Sequence, residues 1–147
     1  MTTKQYLQQI YHLYAKIKQR QEQLDELKAA AAGFRAVDYS SDKIQSSPSD
    51  RMADVVGRYA DLEADIQRMI DEFFTTKNVI IGQIQGMHDS RYSDVLYARY
   101  VRFDSLRKIS NDMHYEYKYL CALHGRALAA FYNQYLKEHE QTRLYMW

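Results

Sequence analysis

Four basic side chains, Arg107, Lys108, Lys118 and Arg126, share one short stretch with Glu116, Tyr117, Cys121 and Ala122. Those residue types can read nucleic acid. Lys118 can reach guanine O6 and N7 or a phosphate, Glu116 can accept from cytosine N4, and Ala122 and Cys121 can touch a thymine methyl. Arg107, Lys108 and Arg126 are better suited to phosphates, whose contacts set affinity and register rather than base preference. A solvated basic face is the plain alternative for each cation, and Arg126 has a second one, an ion pair with the preceding helix. Other chemistry is thinly represented. The five histidines, His12, His88, His114, His124 and His139, show no i,i+4 pairing and no cysteine at ligand spacing. His124 is expected to pack or hydrogen-bond rather than to bind metal. Cys121 lies in no nucleophile signature, and its thiol is expected to be inert. No Gly-rich phosphate loop occurs. Catalytic residues, metals and cofactors are therefore not expected, and an enzyme is the least favoured class.

Side chains that read a groove need a frame to project them, and residues 104–136 match one. A helix-turn-helix joins two short helices at a steep angle through a tight turn. Counting from Leu106, the motif wants an apolar residue at position four, here Ile109, and a small one at five, here Ser110, because the helices approach closely there. Met113 and Tyr115 fill the apolar positions eight and ten, and Leu120 and Leu123 fill fifteen and eighteen. The exception is position nine, often Gly, which is His114. A positive φ there costs His more than Gly, although His is among the residues enriched in that region. Asp104 or Ser105 is placed to cap the first helix. The second is expected to begin near Glu116 and to run through Phe131 to about Lys137.

The same stretch carries a resemblance. Arg99-Tyr100, Leu106-Arg107-Lys108-Ile109, Met113-His114-Tyr115-Glu116-Tyr117-Lys118 and Leu123-His124-Gly125-Arg126-Ala127-Leu128 resemble region four of bacterial sigma factors. They look closer still to a family of small proteins from phages and prophages of Gram-positive bacteria, the RinA/ArpU-type regulators of late operons, which carry an LHGRAL signature at the end of the motif. Lys43-Ile44-Gln45-Ser46-Ser47 and Met52-Ala53-Asp54 are also similar to that family. The resemblance implies a sequence-specific DNA-binding transcription regulator, with double-stranded DNA and RNA polymerase as partners. That family tends to be basic where this chain has Ala122, and losing that charge weakens the expected contact.

The elements before the motif are expected to be helical too. Tyr6, Ile10, Leu13, Ile17, Leu24, Leu27 and Ala31 follow alternating spacings of four and three, with Arg20 interrupting at one stripe position, a coiled-coil seam over residues 3–32. Gly33 is placed to end that helix, and residues 34–47 read as a loop. Ser47, Pro48 and Asp50 signal the start of a second helix that runs to about Gln85. Its stripe is Met52, Val55, Tyr59, Leu62, Ile66, Met69, Phe73, Ile80 and Ile84. Two long helices joined by a loop imply an antiparallel hairpin. Gly86 to Ser90 reads as a break, with Asp89 or Ser90 as cap. Residues 91–103 read as a short amphipathic helix with Val95, Leu96, Tyr100 and Val101 inward. The expected fold is therefore all-α: a helical hairpin for assembly over 1–87, a three-helix helix-turn-helix domain over 88–137, and a tail over 138–147.

Composition bounds the rest. The 147 residues are 46% hydrophobic, with one proline, five glycines and one cysteine. That favours helices, and the lone thiol fits a reducing cytosol. No apolar run of membrane-spanning length and no signal peptide is visible, so a cytoplasmic location without membrane association is expected. Net charge is +1, but residues 91–137 hold eight basic and four acidic groups, whereas residues 1–90 hold 11 and 13. Positive charge thus gathers on the motif. Two alternatives stay open: a small-terminase-like DNA-packaging subunit, and a helical protein-interaction module without DNA binding. Self-association through the hairpin is expected in the first reading.

Overall fold

With one proline and five glycines in the chain, little interrupts a helix. A computed structural model describes residues 1–37 and 48–145, and their side chains for 1–33 and 50–141. Every regular element among the described residues is helical: α1 (Thr3–Leu7), α2 (Gln9–Val37), α3 (Pro48–Gln85), α4 (Ser90–Leu96) with a π-helical turn at Tyr97–Val101, α5 (Leu106–Asp112), α6 (Tyr117–Phe131) with a second π-helical turn at Tyr132–Leu136, and α7 (Lys137–Tyr145). The chain is all-α. No helix among the described residues is long and apolar enough to cross a membrane.

Several boundaries differ from expectation. The first helix is interrupted at Gln8, where the Gln9 side-chain amide donates to the Tyr6 carbonyl at 2.9 Å. Gly33 does not end α2, because ending it as a left-handed cap requires a positive φ, and no described glycine has one. The Ser47 cap, the Lys43–Ser47 block and most of the expected 34–47 loop lie outside the described residues. The helix expected over 91–103 is α-helical only to Leu96, and part of the expected tail is α7.

The chain divides into two compact units, Met1–His12 with Phe74–Trp147, and Leu13–Phe73. The first unit holds the dense core. Leu7, Ile10, Ile80, Ile84, Val95, Leu96, Ile109, Leu120, Leu123, Ala127 and Phe131 are each at most 1% exposed. The ends of the segment expected to form the hairpin thus belong with the C-terminal helices. The Tyr6 hydroxyl donates to Gln83 Oε1 at 2.8 Å, and its ring meets that of Phe131 at 5.9 Å. Gly86 is required by a close approach: a Cβ there would lie 2.6 Å from the Tyr135 hydroxyl. Gln134 ties the same corner by donating to the Gly86 carbonyl at 3.0 Å.

The second unit is a pair of helical stretches. Tyr14 meets Phe73 at a ring separation of 6.3 Å, and Lys28 Nζ sits 5.8 Å from the Tyr59 ring, so the two stretches run in opposite directions. Among its described residues only Leu24 and Ile66 are buried. The other stripe residues from Leu13 to Ala31 and from Met52 to Phe73 are half-buried. Leu27, Ala31, Val55 and Tyr59 border an open cleft of about 360 Å³.

Candidate nucleic-acid interface

The candidate site is built on α4, α5 and α6. Asp89 caps α4 by accepting from the Arg91 backbone N–H at 2.9 Å. Ser105 caps α5 by accepting from the Lys108 N–H at 3.1 Å. Glu116 precedes α6 and makes no side-chain capping bond. A cluster of Val95, Ala98, Ile109, Leu120 and Leu123 holds the three helices together, with Leu106, Met113 and Tyr115 packed on its edge. Ser110 is 2% exposed and donates its hydroxyl to the Arg107 carbonyl at 2.7 Å, so the small residue between the helices is satisfied.

The turn between α5 and α6 has a specific chemistry. His114 adopts φ 58°. Its N–H donates to the Asn111 carbonyl at 3.3 Å, and the Tyr115 N–H donates to the Ser110 carbonyl at 3.0 Å. Those two bonds define a Schellman cap, which needs a left-handed residue at the position His114 occupies. A second left-handed residue, Phe103 at φ 62°, was not foreseen. It follows the first π-helical turn, where the Asp104 N–H donates to the Ala98 carbonyl at 2.9 Å.

From this frame α6 projects its leading end. Its buried residues Leu120, Leu123, Ala127 and Phe131 line one face. Glu116, Lys118, Ala122 and Arg126 are exposed, Tyr117 is 39% exposed and Cys121 is half-buried. Lys118 enters no ion pair among the described residues. Arg107 does not stand free: its guanidinium lies 4.1 Å from the Tyr117 ring centroid. Lys108 is held by Asp112 at 2.9 Å and Asp104 at 3.6 Å, contacts that raise its pKa, that of Asp112 foremost. Any phosphate must compete with those carboxylates for it. Arg126 lies over the Tyr119 ring at 5.7 Å.

Two residues beyond the motif's own pattern join this surface. Arg91 is gripped by Asp89 through Nε at 3.3 Å and Nη2 at 3.0 Å, and its Nη1 donates to the Tyr119 hydroxyl at 3.2 Å. The Arg91 hydrogen bond holds the Asp89 carboxyl below the usual carboxylate range. Tyr119 in turn meets Tyr115 edge-on at 5.1 Å. Tyr117 and Tyr119 thus contact three guanidiniums, those of Arg107, Arg91 and Arg126, with Tyr115 packed on Tyr119. An alternating Tyr-x-Tyr-x-Tyr run is the signal in the sequence that marks them.

Below the surface, Tyr100 Oη and His124 Nε2 are 2.8 Å apart in a part-buried hydrogen bond. Burial lowers the His124 pKa to about 4, with the positive charges of Arg99 and Lys4 adding to the effect. Burial likewise raises the Tyr100 pKa. Among the described residues no three His, Cys, Asp or Glu side chains gather in a way that could hold a metal ion. Comparison with known proteins returned no match: no family model, no curated protein and no solved structure matches the chain.

Proposed function

We propose that this protein is a sequence-specific DNA-binding transcription regulator of phage or prophage type, acting on late genes through a sigma region four-like helix-turn-helix. The observation that carries the proposal is the exposed leading end of α6, with Lys118 outward and the helix braced from behind by Leu120 and Leu123. In such motifs the start of the second helix enters the major groove while the first crosses the backbone. Lys118 and Glu116 then meet base edges, with Tyr117, Cys121 and Ala122 beside them. Arg107 and Arg126 meet phosphates, and Lys108 joins them by exchanging a carboxylate for a phosphate. The resemblance of residues 99–128 to the RinA/ArpU-type regulators supplies the late-operon context and RNA polymerase as a second partner.

The test is fluorescence anisotropy on duplex fragments from the gene's own neighbourhood over a salt series. Binding is expected to weaken steeply with salt, and Lys118→Ala is expected to reduce the slope of log K against log salt by about one. Absence of binding to every fragment at low salt removes the proposal. A second reading, an interaction module that does not bind DNA, draws on the occupied state of Lys108, whose two carboxylate partners leave the first helix nearly neutral. Retained partner binding with no affinity for DNA selects it.

A further inference from the structure

Beside α1 lies a second recess that the DNA reading does not use. Gln8, Tyr11, Arg99, Tyr100 and Phe103 line a cleft of about 220 Å³. Its walls are aromatic and open to solvent: Tyr11 is 51% exposed, Phe103 is 37% exposed, and their rings meet edge-on at 5.3 Å. Tyr100, whose hydroxyl is hydrogen-bonded to His124, also lines it. Its charge comes from Arg99, which donates through Nη1 to the Asp104 carbonyl at 3.0 Å and meets no carboxylate in an ion pair among the described residues.

Three independent features converge there. Exposed aromatic rings retain apolar area to bury on binding. Arg99 meets no carboxylate in an ion pair among the described residues, and an arginine fork is suited to a carboxylate. The backbone is unusual at and after it, with a π-helical turn at Tyr97–Val101 and a left-handed Phe103. Single π turns and bulky residues at positive φ concentrate where a side chain must be aimed. Phe103 meets Tyr11 in the same cleft that Arg99 lines. At about 220 Å³ the recess is below the range of small-molecule sites and takes one large side chain.

We propose that this cleft docks an acidic peptide segment of a protein partner, which inserts one aromatic or large aliphatic side chain beside Tyr11 and Phe103 and sets a neighbouring carboxylate on Arg99. A nucleic-acid backbone fits less well, because it offers repeated phosphates and no apolar anchor, whereas the cleft offers one cation beside a pair of aromatic rings. The proposal is independent of the DNA reading, since none of these residues belongs to the exposed face of α6.

The buried histidine supplies a reporter. Arg99 on the π turn and Lys4 on α1 are the charges acting on it, and Tyr100 is its hydrogen-bond partner. A carboxylate arriving at Arg99 offsets that positive field and raises the His124 pKa. The experiment selects 12-residue peptides from a random display library on the immobilised full-length chain, then titrates the His124 ring protons by NMR with and without a selected peptide. Enriched peptides are expected to place Asp or Glu next to one Phe, Trp, Leu or Met, to bind Arg99→Gln and Tyr11→Ala at least tenfold more weakly, and to move the His124 titration to higher pH. Tyr11→Ala lies at the surface and keeps the test usable should Arg99→Gln disturb the fold. No enrichment, enrichment of basic or neutral peptides, undiminished binding to both variants, an unmoved His124 titration, or displacement of duplex DNA from Arg99 by the peptide would overturn the proposal.

Discussion

The α4–α6 region and the Leu13–Phe73 helical pair reach their structures by different means. Around α6, residues from several short helices converge, so that Val95, Ile109, Leu120 and Leu123 lose nearly all contact with solvent. In the long pair each helix meets one neighbour along a narrow stripe, and among the described residues only Leu24 and Ile66 are buried. Helix length is therefore a poor guide to stability: seven residues in α5 are fixed more firmly by tertiary packing than the longer pair is by its seam. A site that must hold side chains to within a fraction of an ångström belongs on the first kind of frame.

The largest expected effect tests that contrast directly. Leu120→Ala, in the converging core, is expected to cost about 3–5 kcal/mol in urea melts. The same change at half-buried Leu62 is expected to cost about 1 kcal/mol. Equal losses at the two sites would erase the distinction. Next comes pH. The unfolded chain protonates His124 near its ordinary value of 6.5, while the folded chain does so only near about 4. Between those values the unfolded state binds the extra proton, so stability falls as pH drops from about 6.5 to about 4. His124→Gln is expected to flatten that part of the profile, and the Leu13–Phe73 stretch contains no histidine that could produce it. His114→Gly relieves the left-handed strain of the turn and is expected to raise stability by about 1 kcal/mol, a few degrees in Tm, whereas His114→Ala is not. The smallest effect belongs to the long pair. Arg58 and Asp54 form an ion pair at 3.3 Å with side chains 70% and 63% exposed, and Arg58→Ala is expected to leave Tm unchanged within error.

What the sequence made legible follows the same division. Features governed by local chemistry could be read ahead: the Pro48 start of α3, caps narrowed to Asp89 or Ser90 and to Asp104 or Ser105, of which Asp89 and Ser105 serve, and His114 as the position where a left-handed residue could be needed. The seam spacing also marked the helical stretches of the long pair. Features governed by tertiary packing could not. Gly33 looks like a helix stop, but a glycine stops a helix only if the chain turns there, and nothing in its neighbours says whether it does. The π turns at Tyr97–Val101 and Tyr132–Leu136 leave no local signature. Phe103 is a poor candidate for positive φ, and only the ladder closing from Asp104 back to Ala98 accounts for it. In the candidate site, Lys118 and its neighbours were visible from motif spacing. The grip of Asp89 on Arg91, and of Arg91 on Tyr119, joins residues 28 apart in sequence that only the folded chain brings together.

The Tyr132–Leu136 turn has a consequence for how the chain's far end could change over time. A π turn closes each hydrogen-bonded ring with one residue more than an α turn. The turn therefore absorbs one extra residue: removing a single residue from it would return the run to ordinary winding while leaving the residues from Lys137 onward on about the flank they already occupy. A one-residue deletion within Tyr132–Leu136 is thus expected to be absorbed, whereas the same deletion inside α6 would turn every later side chain by about 100°.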